Sequence, residues 1–145
     1  MLYGPFQYDS KLSLGGALDA DDIAALPSFG FDMLVNHRPD GESARQLSEA
    51  ELEDRALAVG LSFVSLPFRG SKMTAADVDT FIDALRRGRK IMATCATGTR
   101  CAMIASAADI RRGMPLDMAL QKAERAGFDL GPLAAVLAGF TLQMA

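Results

Sequence analysis

The sequence has few of the residues on which several common kinds of site depend. Its 145 residues include one histidine and two cysteines, Cys95 and Cys101, which are too few for an ordinary four-ligand zinc site. Lys and Arg total 15 against 18 Asp and Glu, so the net charge is −3 and no broad basic surface is expected. We therefore expect no metal, no other cofactor and no nucleic-acid partner.

Long hydrophobic runs and a secretion signal are also missing. The alanine-rich run from Leu133 to Phe140 is far shorter than the roughly 20 residues of a membrane span. Met1 to Asp9 lacks the basic, apolar and small-residue order of a signal peptide. These absences predict a cytoplasmic protein with no membrane partner, in which both thiols stay reduced. The oligomeric state has no signal in the sequence.

Half of the residues are apolar, which is enough for one core in a single domain, residues 1–145. Apolar, β-rich segments alternate with helical segments, a pattern typical of an α/β fold. We predict a mostly parallel central sheet of about four or five strands flanked by helices. Its predicted strands are a possible edge strand at Lys11–Leu14 and three buried strands at Phe31–Asn36, Leu61–Leu66 and Lys90–Thr94.

Capping signals predict where the helices lie. Ser48 with Glu51, and Thr74 with Asp77, form capping boxes before two helices, which end near Gly60 and Arg87. Asp19 is expected to cap a short helix that ends at Ala25 or Leu26. The C-terminal third is predicted to be helical, with a helix over Cys101–Arg112 closed by Gly113, another starting at Pro115 and a last one opened by Gly131-Pro132.

The loop Cys95–Arg100 (CATGTR) carries the strongest chemical signal. It follows a predicted strand and leads into a helix, so its backbone N–H groups can converge on an anion beside the helix dipole. The same field and Arg100 favour a Cys95 thiolate, the nucleophilic form of cysteine. Gly98 permits a tight turn, while the remaining loop residues Ala96, Thr97 and Thr99 supply amides and hydroxyls. An inert turn that holds a buried thiol is the alternative interpretation.

These residues carry a family resemblance. CATGTR resembles the Cys-x-x-Gly-x-Arg element of a bacterial family with a tyrosine-phosphatase-like fold, found alone or fused to β-lactamase-like hydrolases and also assigned as sulfurtransferases. Asn36, Arg38, Pro39 and Glu42 resemble its Asn-x-Arg-Pro-x-x-Glu element, and the likeness extends from about Leu12 to Arg112. The resemblance implies a phosphatase-like domain in which Cys95 attacks and Arg100 with the loop amides binds the anion.

Three departures from the phosphatase pattern bear on the reaction. Thr94 stands where the superfamily usually has His, and Cys101 stands where Ser or Thr is common after the arginine. The loop Pro67–Lys72, where a phosphatase would place its general acid, has no carboxylate. Asp77 and Asp79 come later, and we interpret them as a helix cap and a solvated helix face. Each departure predicts weaker phosphatase activity.

Loop length gives a further hint. Four residues separate Cys95 from Arg100, as in rhodanese-type sulfurtransferases, whereas tyrosine phosphatases resemble one another in having five. Sulfur transfer from a persulfide or thiosulfate needs no protonated alkoxide, so we slightly favour it over hydrolysis of a phosphate ester, of the aryl phosphate or phosphotyrosine type. A small anionic substrate is common to both reactions. A non-catalytic anion-binding module is the third possibility.

Other polar residues near the loop receive supporting roles. Arg38 and Glu42 are expected to form an ion pair that shapes the neighbouring loop, with added positive charge at the site as the alternative for Arg38. Cys101 is interpreted as a small buried residue, with thiol exchange at Cys95 as the alternative. His37 is placed outside the catalytic set, because a lone histidine is more often a passive loop residue.

Overall fold

The computed structural model describes residues 4–141, so both ends of the predicted domain, 1–3 and 142–145, lie outside the described residues. Within them the chain forms five strands, six α-helices and short 3₁₀ turns. The strands are β1 (Phe6–Gln7), β2 (Leu12–Gly15), β3 (Met33–Asn36), β4 (Ser62–Ser65) and β5 (Ile91–Thr94). The α-helices are α1 (Ala20–Ala25), α2 (Glu49–Ala58), α3 (Ala75–Arg87), α4 (Thr99–Arg111), α5 (Leu116–Arg125) and α6 (Ala134–Ala138). The predicted α/β class is confirmed.

The sheet has the order β1-β2-β5-β3-β4, and only β1 is antiparallel to its neighbour. β5 lies at the centre, and all four of its residues are buried, as expected for a parallel strand covered on both faces. The strand predicted at Lys11–Leu14 is present as β2 (Leu12–Gly15), but its expected position at the edge of the sheet was wrong. β2 is internal, because the two residues of β1 pair with it and take the edge. A strand so short has no periodicity to detect.

Helices cover both faces of the sheet. Successive residues of a strand point to opposite faces, and the core is divided accordingly. Leu34 and Met92 pack with Ile23 of α1 and Leu52 of α2. The next residue in each strand, Val35 and Ala93, belongs to the larger cluster formed with α3, α4, α5 and α6. Each face of the sheet therefore has its own hydrophobic core.

Helix α4 is buried on all sides: every residue from Cys101 to Ile110 is buried. Its alanines allow close packing against the sheet and against α3, α5 and α6. The helix starts at Thr99, two residues before the predicted Cys101, because the Gly98 carbonyl accepts the Ala102 N–H at 3.0 Å and extends the first turn. The predicted helical C-terminal third is present as α4, α5 and α6.

The predicted caps are present. Ser48 and Glu51 bond reciprocally at the start of α2, Thr74 and Asp77 do so at the start of α3, and Asp19 caps α1. Between residues 4 and 141 no helix combines the length and apolarity that crossing a bilayer requires.

Candidate active site

Cys95 lies directly after the central strand, at the carboxyl edge of the sheet. Gly15 of β2 and Asn36 of β3 both pair with Thr94, so the ends of three parallel strands meet there. The Cys95 N–H donates to the Gly15 carbonyl at 3.2 Å, and the His37 N–H donates to the Thr94 carbonyl at 2.9 Å. The sheet thus fixes the backbone on both sides of the thiol, at the edge where open α/β sheets bind ligands.

The loop that follows turns back toward the Cys95 sulfur. Gly98 has φ +95°, a conformation that disfavours any residue with a side chain, and its N–H donates to Cys95 Sγ at 3.0 Å. Phe128, in the segment after α5, packs behind the loop. A Cβ atom at position 98 would lie 2.9 Å from Cζ of the Phe128 ring. Glycine is therefore required here by conformation and by space.

The surroundings of Cys95 stabilise its thiolate. A hydrogen bond from the Cys101 thiol is the main cause that lowers the Cys95 pKa from 9.0 to about 5. Burial of the side chain opposes this shift, while the N–H groups of Cys101, Thr97 and Gly98 add to it. Burial and the neighbouring thiolate raise the pKa of Cys101 well above its ordinary value. Cys95 is therefore ionised at neutral pH and Cys101 is its protonated donor.

Arg100 lies in the first turn of α4 and is held by Glu42. Its Nη1 donates to Glu42 Oε2 at 2.9 Å and to the Phe68 carbonyl at 3.3 Å, and its Nη2 donates to Glu42 Oε1 at 2.7 Å. Glu42 thereby occupies the end of the guanidinium fork. Among residues 4–141 nothing accepts from the Nε edge, where Nε and the second Nη2 hydrogen are parallel donors. That edge suits two oxygens of an anion.

Glu42 also binds Arg38, as the predicted ion pair requires: Arg38 Nε donates to Glu42 Oε1 at 3.2 Å. The side-chain hydrogen bonds from Arg100 are the main cause that lowers the Glu42 pKa, so the carboxylate is charged at neutral pH. The Arg38 guanidinium is therefore held by Glu42, which it shares with Arg100. Its structural role, predicted from the sequence, is the one that the geometry supports.

The loop between β3 and α2 is held by its own side chains. Asn36 donates to the Arg38 carbonyl at 3.0 Å and to Glu49 at 3.1 Å, and it accepts the Arg38 N–H at 3.0 Å. Gln46 donates to the Pro39 carbonyl at 2.9 Å. These bonds fix the backbone that presents Glu42 to Arg100. The motif signalled Asn36, whereas Gln46 carried no recognisable signal.

The threonines of the segment have separate roles. Thr94 is buried and its hydroxyl donates to the Gly16 carbonyl at 2.6 Å, so it ties the nucleophile strand to the end of β2. Thr97 and Thr99 are exposed, with their hydroxyl oxygens 3.2 Å apart. They line a cavity of about 290 Å³, together with Phe6, Gly127, Phe128, Asp129 and Leu130. This cavity borders the loop at its two threonines, while Cys95 and Arg100 are not part of its lining.

The loop Pro67–Lys72 lies beside Arg100, since the Phe68 carbonyl accepts from it, but it has no carboxylate to offer. Asp77 is bonded to Thr74 as the α3 cap, and Asp79 pairs with Arg111. The prediction of a cap for Asp77 is confirmed. Asp79 is exposed as predicted, with an ion pair that the sequence did not indicate.

His37 is a core residue rather than a surface loop residue. It is fully buried between Phe68 and Phe81, and its Nδ1 lies 3.0 Å from the Leu66 carbonyl. Burial lowers its pKa to about 4. In the described part of the chain no atom hydrogen-bonds its Nε2. Its exclusion from the catalytic set agrees with this position, since the contacts of its ring are with Phe68, Phe81 and the Leu66 carbonyl.

The described residues contain no cluster of three or more His, Cys, Asp or Glu side chains that could hold a metal ion. The groups assembled at Cys95 are its thiol, the Gly98 amide and the Arg100 guanidinium.

Residues 7–112 match the family described as "Beta-lactamase hydrolase-like protein, phosphatase-like domain". The chain belongs to this family. The phosphatase-like domain thus includes the whole of the site described above except Phe128 and its neighbours. A curated relative, the beta-lactamase hydrolase-like protein of Xylella fastidiosa, is 27% identical over 125 residues. The alignment covers 85% of this chain and 29% of that protein, so the chain spans less than a third of the relative.

Solved structures agree with this assignment. A candidate phosphatase from Neisseria meningitidis has 25% identity and a TM-score of 0.84, with 94% of this chain and 97% of that chain covered. A variant of P. aeruginosa TpbA in complex with pTyr has 16% identity and a TM-score of 0.59, over 90% of this chain and 87% of that one. The second likeness concerns the fold alone. The predicted family and fold are both confirmed.

Proposed function

We propose that this phosphatase-like domain is a cysteine-dependent phosphomonoester hydrolase that acts on aryl phosphates. The observation that carries the proposal is the position of Cys95 after the central strand, where the Gly98 N–H donates to its sulfur at 3.0 Å, and the N–H groups of Thr97 and Cys101 also help to lower its pKa. Such a position combines the nucleophile with donors for the oxygens of a tetrahedral anion. The family description and the pTyr complex of a neighbour of similar fold support phosphate as that anion.

In this proposal the Cys95 sulfur attacks phosphorus, and the ester oxygen leaves on the opposite side. The loop amides and the Nε edge of Arg100 bind the other phosphate oxygens and stabilise their charge in the transition state. Glu42 keeps the guanidinium plane in place during this step. Water then attacks the phosphocysteine and releases phosphate and the thiolate.

The leaving group determines which esters react. The loop Pro67–Lys72 offers no carboxylate to protonate an alkoxide. A phenolate is a weaker base and leaves without that proton, so aryl phosphates should react much faster than alkyl phosphates. This substrate preference is the reason for naming aryl phosphates.

Sulfur transfer is the second candidate, and the same missing carboxylate supports it. Its other argument is the four-residue spacing between Cys95 and Arg100, which resembles that of rhodanese-type sulfurtransferases. The Gly98 N–H nevertheless donates to the Cys95 sulfur in this short loop, so loop length by itself is a weak reason to exclude phosphate. Sulfur transfer to Cys95 would use the same thiolate and the same amides.

The test compares wild type with Cys95→Ser and Arg100→Lys, using an aryl phosphate, an alkyl phosphate and thiosulfate with cyanide as acceptor. Arg89→Lys is the matched control, because Arg89 is exposed and remote from the loop. We expect aryl phosphate hydrolysis that Cys95→Ser abolishes, Arg100→Lys strongly reduces and Arg89→Lys leaves unchanged. The acid limb of kcat/KM should lie near pH 5, where Cys95 ionises.

Trapping the intermediate gives an independent result. After rapid acid quench, mass spectrometry should find one phosphoryl group on the peptide that contains Cys95. Turnover of thiosulfate without phosphocysteine would replace the first proposal with the second. Full activity of Cys95→Ser toward both donors would exclude both.

A further inference from the structure

The two cysteines of the chain face each other inside the site. Cys95 follows β5 and Cys101 is in the first turn of α4, and both are free thiols in the buried core. Both residues also approach one carbonyl oxygen, that of Gly15, at 3.2 Å from the Cys95 nitrogen and at 4.0 Å from the Cys101 sulfur. At 4.0 Å the contact with the Gly15 carbonyl is weak, so the single Cys101 thiol hydrogen is available to the neighbouring Cys95 sulfur.

We propose that Cys101 is a resolving thiol, which forms a disulfide with Cys95 after a peroxide has oxidised the nucleophile. The first step transfers oxygen: the Cys95 thiolate attacks one peroxide oxygen, the O–O bond breaks, and a sulfenic acid and water (or an alcohol) form with uptake of a proton. In the second step Cys101 sulfur attacks the Cys95 sulfur, and the hydroxyl of the sulfenic acid leaves as water with the Cys101 proton. The peroxide supplies both oxidising equivalents.

Proximity of the two residues favours the second step. The Gly15 carbonyl oxygen lies 3.2 Å from the Cys95 nitrogen and 4.0 Å from the Cys101 sulfur, so both thiols border the same small part of the buried core, where a disulfide bond of about 2 Å can form after a local shift. Cys101 lies in the first turn of α4, and Cys95 lies in the loop that precedes this helix. The sequence contains no other cysteine that could compete.

Access favours a small oxidant. Cys95 is 1% exposed, and the cavity that reaches it, beside Ala17, Asn36 and Arg38, has a volume of about 20 Å³. A volume of that size holds about one water molecule. Hydrogen peroxide is little larger than water and fits a space of this size. The low pKa of Cys95 supplies the thiolate that peroxide requires.

The bond would switch the site off reversibly. It takes the Cys95 sulfur away from the Gly98 amide and removes the nucleophile, and a dithiol reductant restores both thiols. It also protects Cys95 from a second peroxide, which would convert the sulfenic acid to an irreversible sulfinic acid. A serine or threonine at position 101 could not do this. The proposal concerns the two thiols and holds for either reaction at Cys95.

Trypsin makes the bond directly visible, because Arg100 lies between the two cysteines. Cleavage after Lys90, Arg100 and Arg111 places Cys95 in peptide 91–100 and Cys101 in peptide 101–111. The wild-type chain is treated with hydrogen peroxide, denatured, alkylated and digested without reductant. We expect the two peptides as one disulfide-linked species, which separates after dithiothreitol. Unlinked peptides with sulfinic or sulfonic acid on Cys95 would overturn the proposal.

Variants provide the functional part of the test. Each is normalised to its own untreated activity with an aryl phosphate or thiosulfate. After peroxide treatment, dithiothreitol should restore most of the activity of the wild type. The peroxide-treated Cys101→Ser variant should stay inactive and carry sulfinic acid on Cys95. Cys95→Ser should leave Cys101 unoxidised at the same peroxide dose. Equal recovery of activity by the wild type and by Cys101→Ser would contradict the resolving role. The linked-peptide experiment uses the wild-type chain alone, so its result does not depend on the folding of a variant.

Discussion

The space behind the anion loop permits a quantitative test with Gly98→Ala. The added methyl group would lie 2.9 Å from Cζ and 3.3 Å from Cε1 of Phe128, distances at which one group must move. Phe128 is buried and forms an edge-to-face pair with Phe6, with ring centroids 5.1 Å apart. Because that ring has neighbours of its own, we expect the loop to absorb much of the displacement.

Two contributions to the free energy of unfolding can be separated. A side chain at the left-handed φ of +95° destabilises by about 1–2 kcal/mol. Overpacking against Phe128 adds roughly 1–3 kcal/mol. Gly60→Ala is the matched control, since Gly60 has φ +85° and a Cβ there would have no neighbour within 4 Å. Gly60→Ala should therefore show the first contribution alone.

The assay is urea unfolding of both variants, followed by the same measurement in a Phe128→Leu background. Gly98→Ala should be less stable than Gly60→Ala by roughly 1–3 kcal/mol, and Phe128→Leu should remove most of that difference as a coupling energy. The activity of Gly98→Ala should fall on the order of a hundredfold, because a displaced Gly98 amide no longer aligns with Cys95. Equal stabilities of the two alanine variants, or no coupling with Phe128, would refute this reasoning.

Two further perturbations test the charges around the site. Glu42→Gln keeps the shape of the side chain but removes the charge that orients Arg100. The loss of one charge-assisted bond of about 1.5–3 kcal/mol should lower kcat/KM roughly ten- to a hundredfold. Glu51→Gln, in an exposed capping box, should leave kcat/KM unchanged. An equal loss in the two variants would point to net charge instead of orientation. His37 has a folded pKa of about 4, below its ordinary 6.5, so the unfolded chain binds the proton more tightly and stability should decrease as pH falls from 6.5 to 4. Urea unfolding at several pH values should show that the free energy of unfolding changes less with pH over that window in His37→Phe than in the wild type. An equal change in both proteins would assign the pH dependence to other groups.

Local signals predicted the local structure well. The reciprocal bonds of Ser48 with Glu51 and of Thr74 with Asp77 are there because each cap involves residues three apart, and such spacing is visible in a sequence. Cys95 was placed correctly at a strand end for the same reason. An apolar run, a small-residue turn and a helix follow one another without any long-range information.

Contacts between distant segments were not predictable in the same way. Arg100 binds Glu42, 58 residues earlier, and the motif indicated only the Arg38 partner four residues away. The internal position of β2 depends on which strands become neighbours, which no single segment encodes. Phe128 had no signal at all, because an apolar residue after a helix looks the same whether it covers the core or supports a catalytic loop.

Phe128 packs behind the anion loop, and its position in the chain bears on where the phosphatase-like unit ends. The family match ends at residue 112, after α4, yet Phe128 and the helices that cover α4 come later in the chain. A protein shortened to that boundary would retain Cys95, Arg100 and Glu42 and still expose one side of an alanine-rich helix that is buried throughout in the longer chain. The smallest autonomous unit therefore includes α5 and the following segment, and any transplant of this loop into another protein should carry them along.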